Sequence, residues 1–212
     1  MPDTALLVID MQNAFCHPDG SVVGLAGPLA GIASVIEHAE RAVEQARRGG
    51  VPVVFTRHCY RPSYVDSPLL DRTVDRAVRD AGGLVAGTAD SAVIDELGSS
   101  SSDLFVDKCR PDAFFDTSLP TVLRSLGVKS LTFAGVVTNV CVESTVRGAH
   151  MRDYPCTILA DCCTTRTEED HKMSLTCLER YAFASVVWDS SGFDVATDRV
   201  SGPELAGPLP AA

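Results

Sequence analysis

Short continuous apolar runs alternate along the chain with longer stretches whose apolar residues keep helical spacing. Ala5-Leu6-Leu7-Val8-Ile9 is the first run, and its unbroken apolar character predicts a strand buried on both faces. Ile32, Val35, Ile36, Ala39, Val43 and Ala46 keep helical spacing, and Gly49-Gly50 stops that helix. Further strands are predicted at Val51 to Phe55, Leu104 to Val106, Ser130 to Val136, Cys156 to Ala160 and Phe183 to Trp188. Helices are predicted at Val140 to Arg152 and Glu168 to Tyr181, the latter with Thr165 and Glu168 as a capping box. Strands separated by helices imply parallel pairing through right-handed crossovers. The expected fold is α/β: a three-layer α/β/α sandwich around a central, mostly parallel six-stranded sheet. Ligands in such sheets bind beyond the C-terminal strand ends, so polar residues just after each strand are where chemistry is expected.

The 212 residues suit a single domain, with a core over about 4–190 and a tail over 191–212. Ser99 to Ser102 reads as a loop tip, and the Gly, Pro and Ala content from Gly202 onward predicts a frayed tail or one packed on a neighbour. The net charge of -10, spread along the chain, argues against nucleic acid and anionic membranes as partners. No apolar run reaches the roughly 20 residues of a membrane span. Met1-Pro2-Asp3-Thr4 lacks the features of a signal peptide, so a cytoplasmic protein is expected. Its eight cysteines are then expected to be reduced, and with no C-x-x-C pair a structural zinc is not expected.

Three strand ends carry complementary groups. Asp10 closes the first strand, Lys108 the third, and Cys141 follows the fourth at the start of a helix. Singly, such residues read as a turn former, a solvated lysine and a small core thiol. Together they supply what a nucleophilic thiol needs: a helix N-terminus and an ammonium to favour the thiolate, and a carboxylate to carry the proton. Cys16, Cys59, Cys162 and Cys163 also follow strands and are ranked as packing or pocket-wall residues.

Three segments resemble the isochorismatase-like hydrolases, a group that includes nicotinamidases and N-carbamoylsarcosine amidase. They are Leu6-Leu7-Val8-Ile9-Asp10-Met11-Gln12-Asn13-Ala14-Phe15, Val106-Asp107-Lys108-Cys109-Arg110-Pro111-Asp112-Ala113-Phe114-Phe115, and Ala134-Gly135-Val136-Val137-Thr138-Asn139-Val140-Cys141-Val142-Glu143-Ser144-Thr145. The resemblance spans about residues 4 to 190 and implies Asp10, Lys108 and Cys141 as the catalytic set. It also implies a non-proline cis peptide at Val136-Val137 and an oxyanion hole from the N–H groups of Val137 and Cys141. Isochorismatases proper, which cleave a vinyl ether, resemble the chain in fold but lack the matching Cys. Nicotinamidases carry an Asp and two His as metal ligands after the second strand. Here that segment reads Thr56-Arg57-His58-Cys59-Tyr60-Arg61-Pro62-Ser63-Tyr64, so no metal and no cofactor is inferred. Ala14 stands where the family usually has an Asp.

Arg61 and His58 are candidates to bind a substrate carboxylate or carbonyl, since the planar guanidinium matches a carboxylate. A solvated loop is the alternative. By resemblance Phe15 and Phe114 form an apolar wall, or else plain core, and Thr138 joins the substrate-binding set. The expected activity is hydrolysis of a small linear amide, a carbamoyl or ureido compound, through a thioester. Nicotinamidase-type activity and a non-catalytic binding relative are the alternatives. The expected partners are a small amide substrate and other copies of the chain, as a dimer or tetramer.

Overall fold

The computed structural model describes residues 3–67, 73–98, 100–197 and 199–200. Ser99 and the segment from Gly202 onward, both singled out by composition, lie outside the described residues. The strands of the main sheet are β1 (Thr4–Ile9), β2 (Val53–His58), β3 (Leu104–Lys108), β4 (Ser130–Val136), β5 (Cys156–Thr164) and β6 (Ser185–Val187), and Phe193–Asp194 pairs antiparallel with Arg199–Val200 apart from it. The helices are α1 (Asn13–Cys16), α2 (Ser21–Ala26), α3 (Ile32–Arg48), α4 (Thr73–Asp80), α5 (Leu119–Leu126), α6 (Glu143–His150) and α7 (Glu168–Arg180). All six strands join one parallel sheet in the order β3-β2-β1-β4-β5-β6.

The first strand explains the layering. Ala5, Leu7 and Ile9 enter one core with Leu119, Leu123, Val146, Leu175 and Leu178, from α5, α6 and α7. Leu6 and Val8 enter the opposite core with Ala39, Ala42, Val43 and Ala46 of α3. A run apolar at every position is thus required, because both faces of β1 are covered. Leu6, Leu7 and Ile9 are fully buried, and each such side chain contributes about 1.5–3 kcal/mol. No helix among the described residues is long and apolar enough to cross a membrane.

Several boundaries differ from those the sequence predicts, for local reasons. β2 starts at Val53 because the end of α3 engages Val51, whose N–H donates to the Ala46 carbonyl 2.9 Å away, with Gly50 left-handed at φ 67°. Pro52 then has no N–H to give. β2 continues to His58 because β3 pairs with it there, Arg57 opposite Asp107 and His58 opposite Lys108. β5 extends to Thr164 through an irregularity at which Gly135 becomes opposite Cys163. β6 is only Ser185–Val187, since the Phe183 N–H closes the end of α7 on the Leu178 carbonyl at 2.9 Å. The cap of α7 is Thr167, whose hydroxyl accepts from the Asp170 N–H; Thr165 instead donates to Asn139 Oδ1 at 2.7 Å.

Gly135 lies where β4 passes closest to the end of β1. Its φ is 120°, and an added side-chain carbon would overlap the Ile9 carbonyl and come within 2.6 Å of the Ile9 nitrogen. Both obstacles are backbone and cannot rotate away. Gly135→Ala is expected to cost about 3 kcal/mol, the upper end for overpacking, and so lower Tm by about 6–12 °C. A thermal melt within 2 °C of the parent would show that the sheet yields there.

Candidate active site

Asp10, Lys108 and Cys141 come together beyond the C-terminal ends of β1, β3 and β4. Asp10 adopts a left-handed φ of 49°, which turns the chain out of β1; Asp is among the residues that tolerate this. Lys108 is the last residue of β3. Cys141 sits in a wide helical turn, Thr138–Val142, that follows the cis Val136-Val137 peptide and runs into α6. All three residues are buried, and the Asp10 and Lys108 side chains are fully so.

The Lys108 ammonium lies 2.6 Å from Asp10 Oδ2. The other carboxylate oxygen accepts from the Thr56 hydroxyl at 2.6 Å, and that hydroxyl accepts in turn from the Asp10 N–H at 3.1 Å. The ammonium also reaches the Arg110 carbonyl at 3.1 Å and His58 Nδ1 at 3.3 Å. Burial works against the Lys108 charge, but Asp10 and Cys141 outweigh it and the net direction is up. Lys108 is therefore a fixed positive charge.

The thiol behaves otherwise. Burial pushes Cys141 up to about 12; Lys108 opposes this and the Asp10 charge adds to it. The adjacent lysine and helix start suggest a thiolate, but desolvation is the larger effect. The direction favours a thiol beside the carboxylate over a preformed thiolate. The ultraviolet thiolate signal, taken as the difference between the parent and Cys141→Ala, is expected to stay at baseline from about pH 7 to 8. A full thiolate signal at pH 7 would contradict this.

A cavity of about 410 Å3 opens onto Cys141. Phe15, His58, Tyr60, Arg110, Val137, Val140 and Arg166 are among the residues that line it. This volume suits a small molecule. The sequence-derived binding residues are divided by it. Phe15 and His58 face the cavity. Arg61 does not: its side chain is 76% exposed and its Nε lies 3.9 Å from Asp66. Phe114 is a core residue that stacks on Tyr154, with Arg152 over its ring. Thr138 is fully buried, its hydroxyl 2.9 Å from His171 Nδ1.

Arg110 and Arg166 bring guanidinium groups to the cavity instead. Arg110 Nη1 donates to the carbonyls of Asp66 and Cys109, and Arg166 Nη1 to that of Ala26. Gln12 ties the floor together, accepting from the His58 N–H at 2.8 Å and donating to the carbonyls of His58 and Ser91. Thr56, Gln12 and Arg110 all stand within the quoted segments, yet only the strand pairing reveals what they touch. Asp10, His58 and Cys141 also offer metal-ligand atoms within 4.8 Å of one another. A divalent cation there would meet the Lys108 ammonium already seated on Asp10. All eight cysteines are free.

The isochorismatase domain matches residues 4–188. The ureidoacrylate amidohydrolase of Pseudomonas syringae pv. syringae is 36% identical over 171 residues, covering 75% of this chain and 69% of that protein. Its counterpart from Methylobacterium radiotolerans is 33% identical over 218 residues, covering 96% and 84%. Among solved structures, a cysteine hydrolase from Pseudomonas syringae pv. phaseolicola matches with a TM-score of 0.76 at 30% identity, over 87% of each chain. N-carbamoylsarcosine amidase from Thermoplasma acidophilum matches with a TM-score of 0.71 at 26% identity, over 94% of this chain and 99% of that one.

Proposed function

The chain belongs to the isochorismatase family, and on that premise we propose that it is a cysteine-dependent amidohydrolase of small ureido or carbamoyl compounds. One observation carries the chemistry: a buried carboxylate and ammonium, from two strand ends, adjoin a thiol that opens onto a cavity of small-molecule size. The substrate class follows relatives whose names specify ureidoacrylate and N-carbamoylsarcosine.

Cys141 Sγ attacks the carbonyl carbon as its proton passes to the Asp10 carboxylate. The N–H groups of Val137 and Cys141 serve as the oxyanion hole for the tetrahedral oxygen. Asp10 returns the proton to the leaving nitrogen, the C–N bond breaks, and ammonia or an amine departs. A thioester remains on Cys141, or an S-carbamoyl group when a ureido carbonyl is attacked. Water then adds, Asp10 takes its proton, and the thiol is restored. Lys108 holds the charge of Asp10 in register throughout and balances the sulfur as it becomes anionic. Arg110 and Arg166 are the cavity's candidates to receive a substrate carboxylate. The eight free thiols support a reducing compartment, the cytoplasm.

Ammonia release from ureido and carbamoyl acids, set against pyridine carboxamides, tests the reading. Turnover is expected on the first class, with kcat/KM at least about 100-fold above the second, a gap of some 2.7 kcal/mol. Preference for the pyridine amides would replace this substrate assignment with a nicotinamidase-type one. Ligand-induced stabilisation without turnover of any amide would leave a binding protein.

A further inference from the structure

Both ring nitrogens of His58 are engaged, and neither is turned to the cavity as a free donor. Nδ1 lies 3.3 Å from the Lys108 ammonium, and Nε2 lies 2.7 Å from the Tyr60 hydroxyl. The two rings meet edge to face, with centroids 5.1 Å apart. An ammonium nitrogen can only donate, so Nδ1 must accept. The ring proton then belongs on Nε2, aimed at the Tyr60 oxygen. The opposite tautomer would set an N–H against the ammonium, and a charged imidazole would add a second positive charge there. The backbone holds the ring in place, since the His58 N–H and C=O are both bound by the Gln12 side chain.

Lys108 needs such a partner. Four acceptors lie near its three N–H groups: Asp10, the Arg110 carbonyl, His58 Nδ1 and the Cys141 sulfur. A lysine stem has four rotatable bonds, and one contact to Asp10 alone would leave the ammonium free to pivot. The Arg110 carbonyl and His58 Nδ1, from outside the triad, fix it where it faces both the carboxylate and the sulfur. We infer that His58 is a positioning residue: as the neutral Nε2–H tautomer, its ring held in place by Tyr60, it aims the Lys108 ammonium at Asp10 and Cys141. This differs from a substrate-binding role, although the His58 side chain borders the same cavity. The direction of its titration agrees, since burial and the Lys108 charge hold His58 down to about 3.

The catalytic part of this inference rests on the amidohydrolase reading; the tautomer does not, so its test needs no substrate. Nitrogen-15 NMR of the imidazole side chains, with His58→Asn to assign the signal, is expected to show a neutral Nε2–H ring at pH 7. In Tyr60→Phe the Nε2–H form is expected to persist, because the ammonium beside Nδ1, not the hydroxyl, selects it; a shift to Nδ1–H there would overturn the lysine contact. A parent ring that is charged at pH 7, or carries its proton on Nδ1, overturns the inference whatever the chain hydrolyses.

Kinetics test the positioning. His58→Leu removes the acceptor and is expected to lower kcat by about 10- to 100-fold, the scale of a misplaced catalytic group, with KM changed less than threefold. His58→Asn presents an oxygen near the former Nδ1 and is expected to recover most of that loss. A His58→Leu defect confined to KM would mean that the residue binds substrate, and the positioning role would be wrong. If His58→Leu does not fold, Tyr60→Phe still decides: it loosens the ring and is expected to lower kcat with KM little changed, and an unchanged kcat counts against the positioning role.

Discussion

Cys141→Ala is expected to bring turnover of every accepted amide to background, a loss in kcat of roughly 10⁶-fold, as when other covalent nucleophiles are removed. Only a thiol at this position can form the acyl-enzyme, and no neighbouring group replaces it. Of the other cysteines, Cys109 borders the same cavity, but it stands beside Arg110 at its wall and not in the turn after β4. The fold should hardly notice the change. Removing one buried sulfur leaves a small void, costing about 1 kcal/mol, so the melting temperature should fall by only a few degrees. Intact mass after an acid quench should show a slow substrate's acyl group on the parent chain, mapped to Cys141, and none on the variant. Residual activity above about one per cent, or an adduct on Cys109, would remove Cys141 from its role.

Asp10→Asn is expected to lower kcat by about 10²–10⁴-fold, the range for loss of a general acid–base group. The resting thiol makes the carboxylate necessary. Burial holds Cys141 up, so attack by sulfur calls for a base that takes its proton. The substitution also has a structural cost that shape alone does not suggest. Thr56 can still donate to an amide oxygen, but the amide nitrogen would face Lys108, donor against donor. Removing one member of a buried ion pair costs about 3–5 kcal/mol, so a fall in Tm of about 6–20 °C should accompany the kinetic loss. Assay well below the variant's Tm separates the two effects. Activity that returns to the parent level in the cold would show that Asp10 serves folding alone.

Much of this arrangement is legible in the chain. An unbroken apolar run marks β1 correctly, since burial on both faces leaves no alternation to misread. The order of strands and helices then places Asp10, Lys108 and Cys141 at one sheet edge before any coordinates are known. The misplaced features depend on distant partners. β2 runs on to His58 because β3 lies beside it, and nothing within residues 51–58 says so. Thr165 and Thr167 are equally good caps locally; Asn139, across the structure, claims the first. Arg61 and Arg110 look alike in composition, yet only the second borders the cavity, because it follows the end of β3 while Arg61 pairs with Asp66. The protonation of Cys141 was hidden for the same reason. Its neighbours in sequence say little about how completely it is desolvated.

The place of β1 at the centre of the sheet bears on how the chain is made. β1 leaves the ribosome well before β4, yet β4 is one of its two neighbours, with Thr4 opposite Ser130 and Ile9 opposite Gly135. At about 5–20 residues per second, roughly 6–25 s pass between synthesis of the two strands. Through that interval β1 can pair with β2 alone, and its other edge presents unpaired N–H and C=O groups on the most apolar strand of the protein. The nascent chain therefore carries an unpaired apolar edge at residues 4–9 until β4 is made. Faster translation of residues 10 to 129 should shorten that exposure and raise the soluble yield.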